Sequence, residues 1–404
     1  MLTPTALTSY SAWPPVALPG MALAAVDTPA LLLDLDAFER NLDRMQAAAD
    51  AAGVRLRPHA KAHKCPAVAL AQVARGAVGI CCQKASEALP FLQAGIADIH
   101  LSNQLAMPAK ALLPARWARQ APQVRLSVCV DDARQIDALA AATRAEGSRL
   151  GVFIEIDIGQ GRCGVPLGQF DQAGAAGAVN ADAVLRLLDA LAAHPQLELR
   201  GLQAYHGGLQ HLRSHAQRRS QALAAADRAG SVVAALSRAG VRCDDVTGGG
   251  TGSVEFDLES GVYTELQPGS YAFMDRDYAD NETQAAWRFE HALFVATTVM
   301  SVAAGRHVVV DAGLKSLALD CGLPAPWPAD SGWRYTQAND EHGLVQADGA
   351  GMLPAAAPLP ALGTPLRLVP GHCDPTFNLY DELVGYRGDT VASVWPVAAR
   401  GHSR

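Results

Sequence analysis

The chain has no basic surplus: 33 Lys and Arg stand against 40 Asp and Glu, a formal net charge of -7 over 404 residues. No basic patch is left for nucleic acid, and no polybasic segment for an anionic membrane. No apolar run approaches the ~18 residues of a membrane span. Met1 to Gly20 shows neither the basic start nor the apolar stretch of a secretory signal. Cysteine is present eight times but scattered, and Cys81, Cys82 and Cys129 fall inside apolar, strand-like runs. That pattern reads as small buried hydrophobes in a reducing, cytoplasmic setting rather than as a disulfide framework. No internal repeat is visible beyond an alternation of strand-like and helix-like segments.

That alternation carries the fold expectation. A hydrophobic content of 50% permits a large core, and the length suggests two or three domains. Strands are expected at 55–61, 79–83, 98–103, 125–131, 151–157, 199–206, 243–247 and 264–272. Ala/Leu-rich helices are expected at 35–51, 107–119, 133–146, 168–194 and 212–239, the third capped from Asp131-Asp132. Eight strands with intervening helices over this span fit an α/β, (β/α)8 TIM barrel, with a doubly wound open sheet as the competing architecture. Beyond about residue 280 the texture changes. Strand-like runs at 293–300, 307–311 and 365–369 lack long helices between them, and Pro-rich loops at 322–328 and 354–365 punctuate them. The expected division is a barrel over 30–277 and a smaller β domain built from 1–29 and 278–404. The run Ala30 to Leu35 is a ninth strand that a closed barrel does not need, so the N-terminal segment is expected to pair into the β domain.

Chemistry collects at the carboxyl ends of these strands. In Arg57-Pro58-His59-Ala60-Lys61-Ala62-His63-Lys64, an extended backbone would project His59, Lys61 and His63 together and Lys64 away. A lysine at a strand's carboxyl end suits a Schiff-base linkage to pyridoxal phosphate; taken alone, it reads first as part of an exposed basic loop. The cluster Thr247 to Ser253 is the best anion cradle in the chain, its glycines letting backbone N–H groups approach phosphate and Thr251 or Ser253 adding a hydroxyl. It carries neither GxGxxG nor GK[ST]. Pro268-Gly269-Ser270-Tyr271 ends the last expected strand, and the loops after strands seven and eight are where barrels commonly hold phosphate. Arg162, among the glycines of 159–164, can donate to a pyridine nitrogen or lie in an ordinary surface turn. Gln83 ends another strand. In Pro370-Gly371-His372-Cys373-Asp374, His372 and Asp374 share a face, an imidazole and a carboxylate suited to an ion like Mn²⁺ or Mg²⁺. A capped turn holding a buried histidine would look the same.

Taken together, the segments 57–64, 79–84, 159–165, 248–253, 265–275 and 372–376 resemble the D-threonine aldolases, in order and from about residue 27 to Gly401. The resemblance implies an alanine-racemase-like pyridoxal phosphate barrel with a β domain, as a homodimer. It implies Lys61 as the cofactor lysine and Arg162 at the pyridine nitrogen. Gln83, Tyr205, Thr251, Gly269, Ser270 and Tyr278 become cofactor contacts, and His372 with Asp374 the ligands of a divalent metal, Mn²⁺ before Mg²⁺. The implied reaction is retro-aldol cleavage of a β-hydroxy-D-amino acid to glycine and an aldehyde, with His59, His63 or a metal-held water as base. Asp374 favours this branch, since the dehydratase relatives typically carry His-x-Cys with zinc. Relatives include 3-hydroxy-D-aspartate aldolases and D-serine or hydroxyaspartate dehydratases. A non-catalytic pyridoxal phosphate carrier is a different class and would not need the residues beyond 280. A racemase would leave His372 and Asp374 unexplained.

Overall fold

The computed structural model describes residues 14–168, 179–349 and 358–404. Eight parallel strands appear where the alternation places them: β1 Arg55–Leu56, β2 Ile80–Cys82, β3 Asp98–Gln104, β4 Arg125–Val130, β5 Leu150–Asp157, β6 Leu197–Ala204, β7 Asp245–Gly248 and β8 Glu265–Leu266. Each pairs with its neighbour in parallel, β8 also with β1. The ring closes between β1 and β2 through the bridge His59–Cys81, where the Cys81 N–H donates to the Pro58 carbonyl at 2.9 Å. This is the (β/α)8 barrel, and the open sheet is not adopted. The strands β1 and β8 are shorter than their expected spans because both run directly into 3-10 turns, Ala60–Ala62 and Ser270–Ala272, at the rim.

Local chemistry sets the helix ends. Asp132 caps Ala133–Glu146 by accepting from the Arg134 N–H at 2.8 Å, and Gly147 closes the helix at φ 64°. The helix expected over 168–194 is observed as Asp182–Ala192, with 169–178 outside the described residues. The other two long expectations appear as Pro108–Gln120 and His215–Arg238. At one end of the barrel, buried Arg57 donates to Glu265 at 2.8 Å and Asp98 at 2.6 Å, tying β1, β8 and β3 together. A buried guanidinium needs both partners; removing one typically costs about 3–5 kcal/mol.

A second sheet runs in the order Trp333–Ala338, Gly343–Ala347, Val308–Val310, Leu293–Ser301, Ala30–Asp34, Glu382–Arg387, Thr390–Pro396. Pro365–Val369 also pairs with Leu293–Ser301 and joins Ala325–Trp327 to the sheet. The ninth strand thus lies mid-sheet, antiparallel to one neighbour (Leu31 opposite Val295) and parallel to the other (Leu31 opposite Leu383). Its side chains alternate as a two-sided strand requires. Leu31 and Leu33 enter the core shared with the barrel, while Ala30 and Leu32 enter a smaller core on the far face. Asp34 then caps helix Leu35–Ala52, which carries the chain into β1.

Candidate active site

The carboxyl ends of the barrel strands converge on one cavity lined by His59, Lys61, Gln83, Ser102, Arg162, Tyr205, Gly250, Thr251, Gln267, Gly269, Ser270 and Tyr278. Nine of these are residues that the sequence singles out, delivered from the ends of β1, β2, β5, β6, β7 and β8 and from the turn Arg276–Ala279. Gly250, from the glycine cluster expected as the anion cradle, is a tenth; Ser102 and Gln267 were not foreseen. Ser102 carried a readable signal, as a polar residue near the carboxyl end of an expected strand.

The extended geometry expected for 59–63 is not what forms. After Pro58 and His59 the backbone folds into the 3-10 turn Ala60–Ala62, so the period-two alternation breaks and the two histidines part. His59 stays at the cavity, its Nδ1 facing the Lys61 N–H at 3.4 Å and its Nε2 the Ser102 hydroxyl at 3.0 Å. Burial first, and the Lys61 charge second, hold its pKa well below the ordinary imidazole value. His63 is fully buried between the rings of Phe91 and Phe273, accepts from the Cys65 N–H at 3.0 Å, and is pushed by burial down to about 3. Lys64 does turn away, pairing with buried Glu87 at 2.8 Å.

Lys61 Nζ lies 2.6 Å from Asp374 Oδ2. Burial alone would lower the ammonium pKa, but the Asp374 carboxylate outweighs it and raises the value above that of an ordinary lysine. For Asp374, burial pulls upward and Lys61 and His372 pull downward harder, so its carboxyl sits well below the usual range. Both groups are therefore charged, and an ammonium is no nucleophile. Withdrawing Asp374 toward a cation would free the amine, which couples the two functional groups electrostatically.

The remaining walls fit a phosphorylated pyridine aldehyde. Gly250 leaves no room for a side chain: a Cβ there would stand 2.6 Å from Gln210 Oε1, so the 249–252 loop is pressed against Gln210 and presents backbone and the Thr251 side chain to the cavity. Gln210 braces that loop by accepting from the Gly252 N–H and donating to Ser253, both at 2.8 Å. The Thr251 hydroxyl accepts from the Tyr271 N–H at 3.0 Å, linking this loop to the one carrying Gly269 and Ser270. The Arg162 guanidinium lies 5.3 Å from the centre of the Tyr205 ring. Its loop is held by the Asp157 carboxylate, which accepts from the Gly159 and Gly161 N–H groups. Although Gly159, Gly161 and Gly164 have GxGxxG spacing, the segment opens no helix and continues into the two-residue strand Val165–Pro166, so no dinucleotide site forms there.

His372 and Asp374 lie where the strand Pro365–Val369 turns into the short helix Cys373–Phe377. Asp374 also accepts from Ser270 at 3.3 Å. Buried Asp275 fixes this turn, accepting from the Cys373 N–H at 2.8 Å and from the Tyr278 N–H at 2.9 Å, and burial pushes its carboxyl up to about 6. An imidazole two residues from a partly buried carboxylate suits a divalent ion. Two further donors that the sequence did not suggest gather at His372: Asp320 Oδ2 at 2.6 Å from Nδ1 and Cys321 Sγ at 3.6 Å.

Comparison with known proteins agrees with this fold. The family model "Alanine racemase, N-terminal domain" matches residues 33–277, and a serine dehydratase domain model matches 292–386. A D-threonine aldolase of Arthrobacter sp is 51% identical over 97% of this chain and 98% of its own. A 3-hydroxy-D-aspartate aldolase of Paracoccus denitrificans (strain Pd 1222) is 44% identical over 95% of each chain. The crystal structure of D-threonine aldolase from Filomicrobium marinum superposes with a TM-score of 0.88 at 46% identity, covering 97% of this chain and 100% of that one.

Proposed function

The chain belongs to the D-threonine aldolase family of alanine-racemase-like enzymes, and from that premise we propose that it cleaves D-threonine and other β-hydroxy-D-amino acids to glycine and an aldehyde. The observation that carries this reading is the 2.6 Å approach of Lys61 to Asp374, which sets a cation-binding carboxylate beside the cofactor lysine. When bound, pyridoxal phosphate supplies the electron sink for the pair left on Cα as the Cα–Cβ bond breaks, and a divalent ion supplies a Lewis acid for the β-hydroxyl.

The protein's own groups do the rest. Lys61 would hold the cofactor covalently. Thr251, Gly269 and Ser270 would hold its phosphate, Arg162 would donate toward its ring nitrogen, and Gln83, Tyr205 and Tyr278 would confine it. An arginine partner stays protonated and leaves that nitrogen as an acceptor, which moderates the sink. His59 lines the cavity and His63 does not, so of the two histidines it is the one placed to take the β-hydroxyl proton, with Ser102 at its Nε2. His372 and Asp374 would hold the ion, Mn²⁺ in our reading. Free cysteines among the described residues support a reducing, cytoplasmic setting. No described helix is long and apolar enough to cross a membrane. A homodimer belongs to the same reading.

The test is product analysis with D-threonine, pyridoxal phosphate and Mn²⁺, with and without chelator. Glycine and acetaldehyde that vanish with chelator are expected. Ammonia and 2-oxobutanoate would replace the aldolase by a dehydratase. Activity on 3-hydroxy-D-aspartate alone would narrow the substrate to the carboxylate class.

A further inference from the structure

We propose that Asp320 is a positioning residue for the cation site: it fixes the tautomer and direction of the His372 ring so that Nε2 is the ligand atom. This rests on the reading that His372 and Asp374 hold the ion. Asp320 Oδ2 lies 2.6 Å from His372 Nδ1. A carboxylate only accepts, so Nδ1 carries the proton and donates, and the lone pair is confined to Nε2. Cys321 Sγ, at 3.6 Å, lies at the same ring nitrogen. Among the described residues Nε2 has no hydrogen-bond partner, and the ring is only half-buried, so Nε2 is open to an ion.

Both ring faces of the problem are thereby separated. One nitrogen is committed to the loop at Asp320, and the other is left without a hydrogen bond, on a residue two positions along the chain from Asp374. Metal-binding histidines are commonly oriented this way, through a carboxylate on the non-ligating nitrogen, and losing that partner typically weakens metal affinity by about 10–100-fold. Asp320 is itself about half exposed. It is not among the residues lining the cofactor cavity, which makes it a lever on the ion separate from the cofactor walls.

An opposite arrangement is chemically available. Asp320, Cys321 and His372 offer three donor atoms within 4.8 Å of one another. If they formed the site themselves, His372 would ligate through Nδ1, and the thiolate would select a soft ion.

The experiment is Mn²⁺ titration of the cofactor-loaded enzyme by calorimetry, on wild type, Asp320→Ala, Asp320→Asn, Cys321→Ser and Asp374→Ala, with the cofactor's visible spectrum as the check that each variant is folded and loaded. Asp320→Ala is expected to weaken Mn²⁺ binding at least tenfold with an unchanged spectrum. Asp320→Asn, whose amide oxygen still accepts from Nδ1, should recover part of that loss, and Cys321→Ser should bind as wild type does. Mn²⁺ affinity within twofold of wild type in Asp320→Ala, while Asp374→Ala binds none, would overturn the role of Asp320 and leave the site reading standing. Unchanged affinity in Asp374→Ala would remove the site reading itself. A thiolate charge-transfer band on Cd²⁺ addition, lost in Cys321→Ser, would show direct ligation by the outer trio and also overturn the proposal.

Discussion

Gly250→Ala tests the cofactor cradle most directly. Gly250 does not have a backbone conformation that excludes alanine, so the effect is steric. The new Cβ would meet Gln210 Oε1 at 2.6 Å, whereas ordinary contact begins near 3.4 Å, so something must yield by about 0.8 Å. Gln210 cannot swing away freely, because its amide holds the Gly252 N–H and the Ser253 hydroxyl at 2.8 Å each. Losing both bonds costs about 1 kcal/mol apiece. Overpacking a filled site adds roughly 1–3 kcal/mol, giving a total of about 3 kcal/mol at the least. If half of this is felt only with phosphate in place, the cofactor dissociation constant rises about tenfold, since each ~1.4 kcal/mol is a factor of ten. Equilibrium dialysis against pyridoxal phosphate measures it, in Gly250→Ala, Gln210→Ala and the double variant. The double variant should bind the cofactor no worse than Gln210→Ala alone, because the clash is gone. Cofactor affinity in Gly250→Ala within twofold of wild type, or additive losses in the double variant, would refute the reasoning.

Three further outcomes follow from the same structure. Lys61→Ala should lose the visible absorption of the lysine-linked cofactor and all turnover; an unchanged spectrum would remove Lys61 from its role. His63→Asn, which keeps an acceptor for the Cys65 N–H, should retain kcat within about threefold, as His63 lies in the core off the cavity; a hundredfold loss would return it to the chemistry. Asp257 is buried and pushed up to about 7, first by burial and against the Ser253 hydroxyl bond at 2.6 Å. Its folded value lies above the unfolded one, so the native state keeps a proton that the unfolded chain has lost, and stability falls as pH rises from about 4 to about 7. Asp257→Asn should remove that fall and unfold later in denaturant at pH 8, by an order of a few kcal/mol, while matching wild type near pH 4. Parallel pH profiles for the two proteins would contradict it.

The barrel was legible because strand-like runs such as those at 125–130 and 150–157 alternate with helices, and Asp132 and Gly147 mark the ends of one of those helices chemically. The cavity was legible where its lining comes from strand ends, as with Gln83, Arg162, Thr251 and Ser270. What failed was a local assumption: the polar alternation of 59–63 looked extended, yet one 3-10 turn sent His59 to the cavity and His63 into the core. Asp320 and Cys321 were out of reach for a different reason. They meet His372 across 52 and 51 residues of chain, in a loop with no periodicity, and only tertiary structure pairs them.

The mid-sheet position of Ala30–Asp34 has a consequence for biogenesis. Its two neighbours belong to 293–301 and 382–387, so in chain terms the whole barrel is an insertion between one strand and its partners. During synthesis from the N-terminus, that strand emerges with nothing to pair with, and the barrel can assemble while its edges stay open. The sheet closes only when residues near 385 have left the ribosome. The turn bearing His372 and Asp374 is made in the same late stretch. A ribosome-bound chain arrested before it would hold a barrel with Lys61 in place but lack the turn proposed to hold the ion, so on that reading the sheet and the cation site are completed by the same closing event.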